Sequence, residues 1–238
     1  MRRLAYGLYA LSSYTIGMAS LLYLCGFMLN LIVPKGIDGG TIGQLNQSLA
    51  INVAILAAFL VPHSIMARPR FKKWWTTIIP APLERATYIF FSGITLLVAL
   101  WLWQPIPIVL WSLGAGLPTY VAFGIYAFGW AMIVISTFTI DHFTFFGLRQ
   151  VWESFVGAVS KQGRLSQSWF YALVRHPISL GWMLVFLSTP VMTAGHLLFA
   201  AGMIIYILVV TPIEERDIEA GLGEDYRAYR RRVRAFLP

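Results

Sequence analysis

Six apolar stretches of fifteen residues or more carry no Asp, Glu, Lys or Arg: Leu8–Val33, Leu49–Met66, Tyr88–Trp103, Tyr120–Ile140, Ile178–Met192 and Leu197–Ile213. A helix needs about 20 apolar residues to cross a bilayer core. Inside lipid every backbone N–H and C=O must bond within the protein, which favours helices for such runs. The first four stretches read as spans, the third of them short. The last two are shorter, and Thr193-Ala194-Gly195-His196 lies between them, with Gly195 suited to a turn. They read as a tight helical hairpin that barely reaches the far side. The expected fold is therefore all-α: a polytopic integral membrane protein in one domain, residues 1–238. Four spans fill residues 8–140, and the hairpin and polar segments fill 141–238. Composition agrees, because 12% of residues are charged and 58% are hydrophobic, whereas soluble domains average about a quarter charged. A water-soluble enzyme and a disordered tail are both excluded.

The chain carries 18 Lys+Arg against 10 Asp+Glu, a net charge of +8. A basic excess raises the prospect of a nucleic-acid partner, and the placement of the charges argues against it. Arg2 and Arg3 precede the first span; Arg68, Arg70, Lys72, Lys73 and Arg85 separate the second and third. Arg149, Lys161, Arg164 and Arg175 precede the hairpin, and Arg216, Arg227, Arg230, Arg231, Arg232 and Arg234 follow it. In a six-span arrangement these 17 of the 18 basic residues share one side, and only Lys35 lies opposite. Positive charge marks the cytoplasmic face, so both termini are expected in the cytoplasm, with the chain in the inner (cytoplasmic) membrane. The basic groups then serve as topology signals and lipid-headgroup contacts. Trp74, Trp75, Trp101, Trp103, Trp111 and Trp152 sit near span ends, as interfacial anchors do. No nucleic acid and no obligate protein partner is expected. The uncharged run after Met1-Arg2-Arg3 is too long for a cleaved leader and reads as a retained anchor. Cys25, the only cysteine, sits in that run and reads as a packing residue.

Ionisable groups at membrane depth are functional candidates. His63, Glu84-Arg85, Asp141-His142, Arg175-His176 and Glu214-Glu215-Arg216 all fall at the inner ends of spans. His63 has an equally good reading as a hydrogen-bonding helix contact, and Glu84 as a first-turn carboxylate. Asp141-His142 is harder to set aside, since an imidazole can take a proton from a weak acid and a carboxylate can orient it. Pro177 in a first helical turn would hold Arg175 and His176 at a pocket rim, and Gly181 would admit a bulky ligand close to the backbone. Glu214 or Glu215 could accept from an amine or hydroxyl. The tail Asp225–Arg234 reads as a cytoplasmic amphipathic helix with Tyr226, Tyr229 and Val233 on one face. Such a donor set suits a zwitterionic nucleoside ligand, and equally phosphates or haem. No metal site is expected.

Arg175–Trp182 (RHPISLGW), Glu214-Glu215-Arg216 and Gly223–Val233 (GEDYRAYRRRV) resemble the C-terminal signature of the isoprenylcysteine carboxyl methyltransferase superfamily. His63–Arg68, Glu84–Tyr88 and Ser136–Trp152 resemble the NnrU-related branch, and within it the membrane-bound methanethiol S-methyltransferases. The resemblance covers roughly Val61 to Val233. It implies S-adenosyl-L-methionine (SAM) as cofactor, a small volatile thiol as substrate, and conversion of methanethiol to dimethyl sulfide. By the same resemblance the cofactor site comprises Leu165, Tyr171, Arg175, His176, Gly181, Glu214, Glu215, Tyr226, Tyr229 and Arg230. Asp141 and His142 face the substrate as the catalytic pair. Two positions depart from the pattern: Ser179 stands where the superfamily often has Tyr, and Asp141 where Asn is expected. Three other readings remain open at this level. One is a membrane methyltransferase acting on a prenylcysteine carboxylate or a lipid. A second is a haem protein using His63, His142 or His176 as axial ligands. The third is a non-catalytic membrane factor.

Overall fold

A computed structural model describes residues 1–158 and 165–237; Lys161 and Arg164, counted above among the inner charges, lie outside the described residues. Among the described residues five helices are long and apolar enough to cross a membrane. They are α1 (Arg2–Leu29), α2 (Leu45–Ala67), α4 (Glu84–Leu102, preceded by a short 3-10 turn), α5 (Leu117–Ile140) and α10 (Ala194–Leu222). The other helices are short: α3 (Pro69–Trp75), α6 (His142–Phe145), α7 (Leu148–Val156), α8 (Phe170–Leu173), α9 (Pro177–Leu187) and α11 (Glu224–Arg232). The chain is thus an all-α polytopic membrane protein. The described chain divides into two compact units interleaved along the sequence.

Unit 1 comprises Met1–Gly36, Val53–Trp103 and residues 141–158. Its α1 turns small residues inward at helical spacing: Ala10, Ser13, Gly17 and Ser20 are all buried. Close approach of helices in lipid depends on such residues, because packing rather than water exclusion drives association there. A Cβ on Gly93 of α4 would come within 3.2 Å of the Gly17 backbone. The α1–α4 contact is therefore set by two residues without side chains. α1 stops at Asn30, which takes a left-handed C-cap (φ 56°) and returns its N–H to Phe27 O. Amphipathic α7 lays Val151 against Ala10 and Ala86.

Unit 2 comprises Ile37–Asn52, Gln104–Ile140 and residues 165–237. Here α5 and α9 cross at Gly129 and Gly181. A Cβ on Gly181 would sit 2.7 Å from Ile133 Cγ1 and 2.8 Å from Gly129 O. α9 has 11 residues, about 16 Å of helix, half of what a span requires. It is the short arm of the expected hairpin. Its partner is not short: α10 has 29 residues and carries Glu214, Glu215 and Arg216 within the helix, past an internal Pro212. The expected end at Ile213 is overturned because ion pairs, described below, hold this polar turn in helical form.

The expected turn at Thr193–His196 is also corrected. Val191–Thr193 (β2) pairs antiparallel with Val109–Ser112 (β1). Thr193 then caps α10, its Oγ1 accepting from His196 N–H at 3.1 Å, and Gly195 is already helical. The ladder satisfies backbone groups that a short α9 leaves without a helical partner.

Candidate functional site

The polar core of unit 2 is organised around one carboxylate. Pro177 begins α9 with its missing N–H where none is needed, and His176 is the N-cap residue. Arg175 and His176 are thereby fixed just outside the helix. Both meet Glu215 from α10. Arg175 donates through Nε at 2.8 Å and Nη2 at 2.7 Å to Oε1. His176 donates from Nε2 to the same oxygen at 2.9 Å. Arg230 of α11 reaches Oε2 at 3.5 Å. The carboxylate side chain of Glu215 is 7% exposed and that of Arg175 10%. Burial holds the His176 imidazole below its ordinary value, and the Glu215 hydrogen bond pulls partly the other way.

α11 closes over this group. Tyr226 and Tyr229 are both 2% exposed. Tyr229 donates its hydroxyl to Tyr171 O at 2.6 Å, which ties α11 to the segment ahead of Arg175. The Tyr226 hydroxyl is buried beside Glu215 and Arg175. Burial, with the nearby carboxylate, pushes it up to about 12. Together with a carboxylate and two guanidinium groups, it fits a ligand carrying both an ammonium and a carboxylate.

Unit 1 holds a second group of different character. Asp141 takes a left-handed backbone (φ 91°) at the end of α5 and caps α6, accepting from Thr144 N–H at 3.0 Å. Its other oxygen meets Arg149 Nε at 2.8 Å. The sharp turn directs His142 inward, where it is 8% exposed. Its Nε2 lies 3.0 Å from the Tyr14 hydroxyl of α1, and its ring packs 4.7 Å from Phe146. Burial holds the imidazole below its ordinary value, with Asp141 opposing. Nearby in the same unit, His63 Nδ1 meets Ser92 Oγ at 3.0 Å and its Nε2 meets Tyr88 OH at 2.9 Å. This is the helix-contact reading of His63. Arg85 donates to Phe145 O at 2.6 Å and lies over the Tyr88 ring, while Glu84 sits in the first turn of α4.

Of the residues singled out from sequence, Arg175, His176, Glu215, Tyr226, Tyr229, Tyr171 and Arg230 come together in unit 2. Glu214 is half-buried on the neighbouring position of α10, and Leu165 is half-buried in irregular chain. The bare backbone of Gly181 faces α5. Asp141 and His142 are adjacent but diverge: the carboxylate turns to Thr144 and Arg149, the imidazole to Tyr14. Sequence reading missed Tyr14 and Tyr88. Tyr14 follows the buried Ser13 in a span with many small residues, and that stripe marks a packed face on which a phenol would be enclosed. Ser179 lies in the first turn of α9, half-buried.

No family model matches the chain, and no solved structure matches it. Curated proteins do. Methanethiol S-methyltransferase 2 of Bradyrhizobium diazoefficiens is 42% identical over 236 residues, covering 99% of this chain and 91% of that protein. Methanethiol S-methyltransferase 1 of the same organism is 43% identical, covering 97% and 81%. The methanethiol S-methyltransferase of Mycobacterium tuberculosis is 40% identical over 238 residues, covering 100% and 98%.

Proposed function

The chain belongs to the methanethiol S-methyltransferase family, and on that premise we propose that it methylates methanethiol with SAM, releasing dimethyl sulfide and S-adenosylhomocysteine. The observation that carries the reading is the convergence of Arg175, His176 and Arg230 on Glu215, under Tyr226. When bound, SAM supplies an electrophilic methyl group on a sulfonium sulfur.

Glu215, Arg175 and Arg230 are assigned to the charged amino-acid end of the cofactor. The buried Tyr226 hydroxyl donates to its carboxylate. Leu165 and Tyr171 line the adenosine side, and Glu214 lies at the margin. Gly181 contributes indirectly, by letting α9 seat against α5 so that Arg175 and His176 are held still.

The thiolate is the competent nucleophile, so a proton must leave the substrate. His142 is assigned to accept it at Nε2, with the Tyr14 hydroxyl as shuttle: the thiol proton passes to the phenol oxygen as the phenol proton passes to the ring. A neutral imidazole is required, and burial favours it. Asp141 is assigned a positioning role, since its turn aims His142 inward. An apolar setting does not oppose the attack, because thiolate and sulfonium charges cancel as the new S–C bond forms and the old one breaks. Substrate and product are small and apolar, so both partition through lipid. We read the termini and the cofactor group as cytoplasmic, in the inner membrane, from the distribution of basic residues.

The test is to supply purified protein with SAM and methanethiol and to measure dimethyl sulfide in the headspace. A folded, SAM-binding protein that releases none would sink the substrate assignment. A panel with a prenylcysteine would reveal another acceptor.

A further inference from the structure

The chain does not leave the site when α11 ends. Residues after Arg232 turn extended, with Val233 at φ −120° and ψ 132°, and run parallel to the strand-like stretch just ahead of α9. Val174 and Arg234 form a parallel bridge. Arg175 N–H donates to Arg234 O at 2.8 Å, and His176 N–H donates to Ala235 O at 3.1 Å. The Arg175 guanidinium also donates through Nη1 to Val233 O. The Phe236 ring lies 5.8 Å from the His176 ring, and Arg232 Nη2 reaches Gln167 Oε1 at 2.7 Å.

We infer that residues 233–236 are a positioning clip, which fixes Arg175 and His176 and so sets the affinity of the cofactor site. Glu215 holds the two side chains from one flank, but it does not restrain the main chain that bears them. Neither backbone N–H belongs to a helix, and without the clip both would need water. The clip adds one short strand to the exposed edge of another, a pairing whose strength lies in main-chain bonds. The Phe236 ring lies beside the His176 ring, whose Nε2 edge Glu215 holds. An arginine and a histidine pre-set in this way lose less freedom when ligand arrives. The cofactor part of this inference rests on the function proposed above, whereas the restraint on residues 175–176 does not.

The experiment compares the full chain with one ending at Arg232, and with Phe236→Ala and Phe236→Tyr. Amide hydrogen exchange at residues 175–176 is read in the ligand-free proteins, and SAM binding by calorimetry. Phe236→Ala is the milder variant should the shortened chain fail to fold. The expected result is faster exchange at 175–176 and SAM affinity weakened on the order of tenfold or more, as displaced positioning groups typically cause. KM for SAM should rise with kcat nearly unchanged, and Phe236→Tyr should restore the wild-type values. Unchanged exchange and unchanged SAM affinity in a folded, shortened chain would overturn the clip. Faster exchange in the shortened chain, with no SAM binding by the full chain, would uphold the clip and overturn the cofactor reading.

Discussion

Unit 1 and unit 2 both bury histidines, and they partner them differently. In unit 1 His142 and His63 meet neutral phenols, Tyr14 and Tyr88. In unit 2 His176 meets a carboxylate that also holds two arginines. A phenol asks for no counter-charge, so the unit 1 pairs sit among aromatic rings. A buried carboxylate demands cations, so Glu215 is met by Arg175 and Arg230. The difference teaches that the second partner, not the histidine, decides whether such a group is neutral or charged.

Removing the carboxylate should have the largest effect. Glu215→Leu leaves Arg175 buried and unbalanced, at a cost of about 3–5 kcal/mol. Thermal melting in detergent should show the loss, and SAM binding should vanish. If Glu215→Leu melts like the parent, the charged group is not the keystone of unit 2.

The unit 1 pair should affect rate more than stability. His142→Phe should lower kcat by about 10²- to 10⁴-fold, the range for a lost general base, with SAM affinity kept. Tyr14→Phe removes one neutral hydrogen bond, worth about 1 kcal/mol, and should slow turnover less. Equal rates for Tyr14→Phe and wild type would remove the shuttle.

Acid should find both units. His142 and His176 are held below the ordinary histidine value of about 6.5 chiefly by burial. As pH falls below 6.5 the unfolded chain takes up protons that the folded chain refuses, so stability is full above that value and declines beneath it. The acid limb of the pH–rate profile should likewise lie below 6.5, because His142 stays neutral there. His142→Phe should flatten part of the stability decline, and a melting curve insensitive to pH between 5 and 7 would count against both burial arguments.

The smallest effect belongs to Asp141→Asn. The amide still caps Thr144 N–H, and the lost pair with Arg149 is largely exposed, worth about 0–1 kcal/mol. Rate and melting should barely move. A large fall in rate would make Asp141 part of the proton path instead.

Much of the fold was legible because apolar runs must be helices in lipid. All five long helices and the short α9 fall where the uncharged stretches lie. Boundaries were less legible where polar residues continue a helix: α10 runs on to Leu222 because Glu215 and Glu219 find arginines from α11 and the segment before α9. The β1–β2 ladder left no signal, since its strands are short and as apolar as the spans. Within the site, Arg175, His176, Glu215, Tyr226 and Tyr229 were readable as a spaced pattern. Tyr14 was not, because it lies 128 residues from His142 and nothing local marks a partner at that range.

Sequence by itself determined that this chain spans a membrane and which family it resembles. Those follow from hydropathy and motif, which are properties of residues taken in order. Only the tertiary structure decided that Asp141 and His142 part company, that Gly181 serves a helix crossing, and that residues 233–236 grip the main chain of Arg175 and His176. These outcomes turn on backbone direction and on partners distant in sequence, and packing alone sets both.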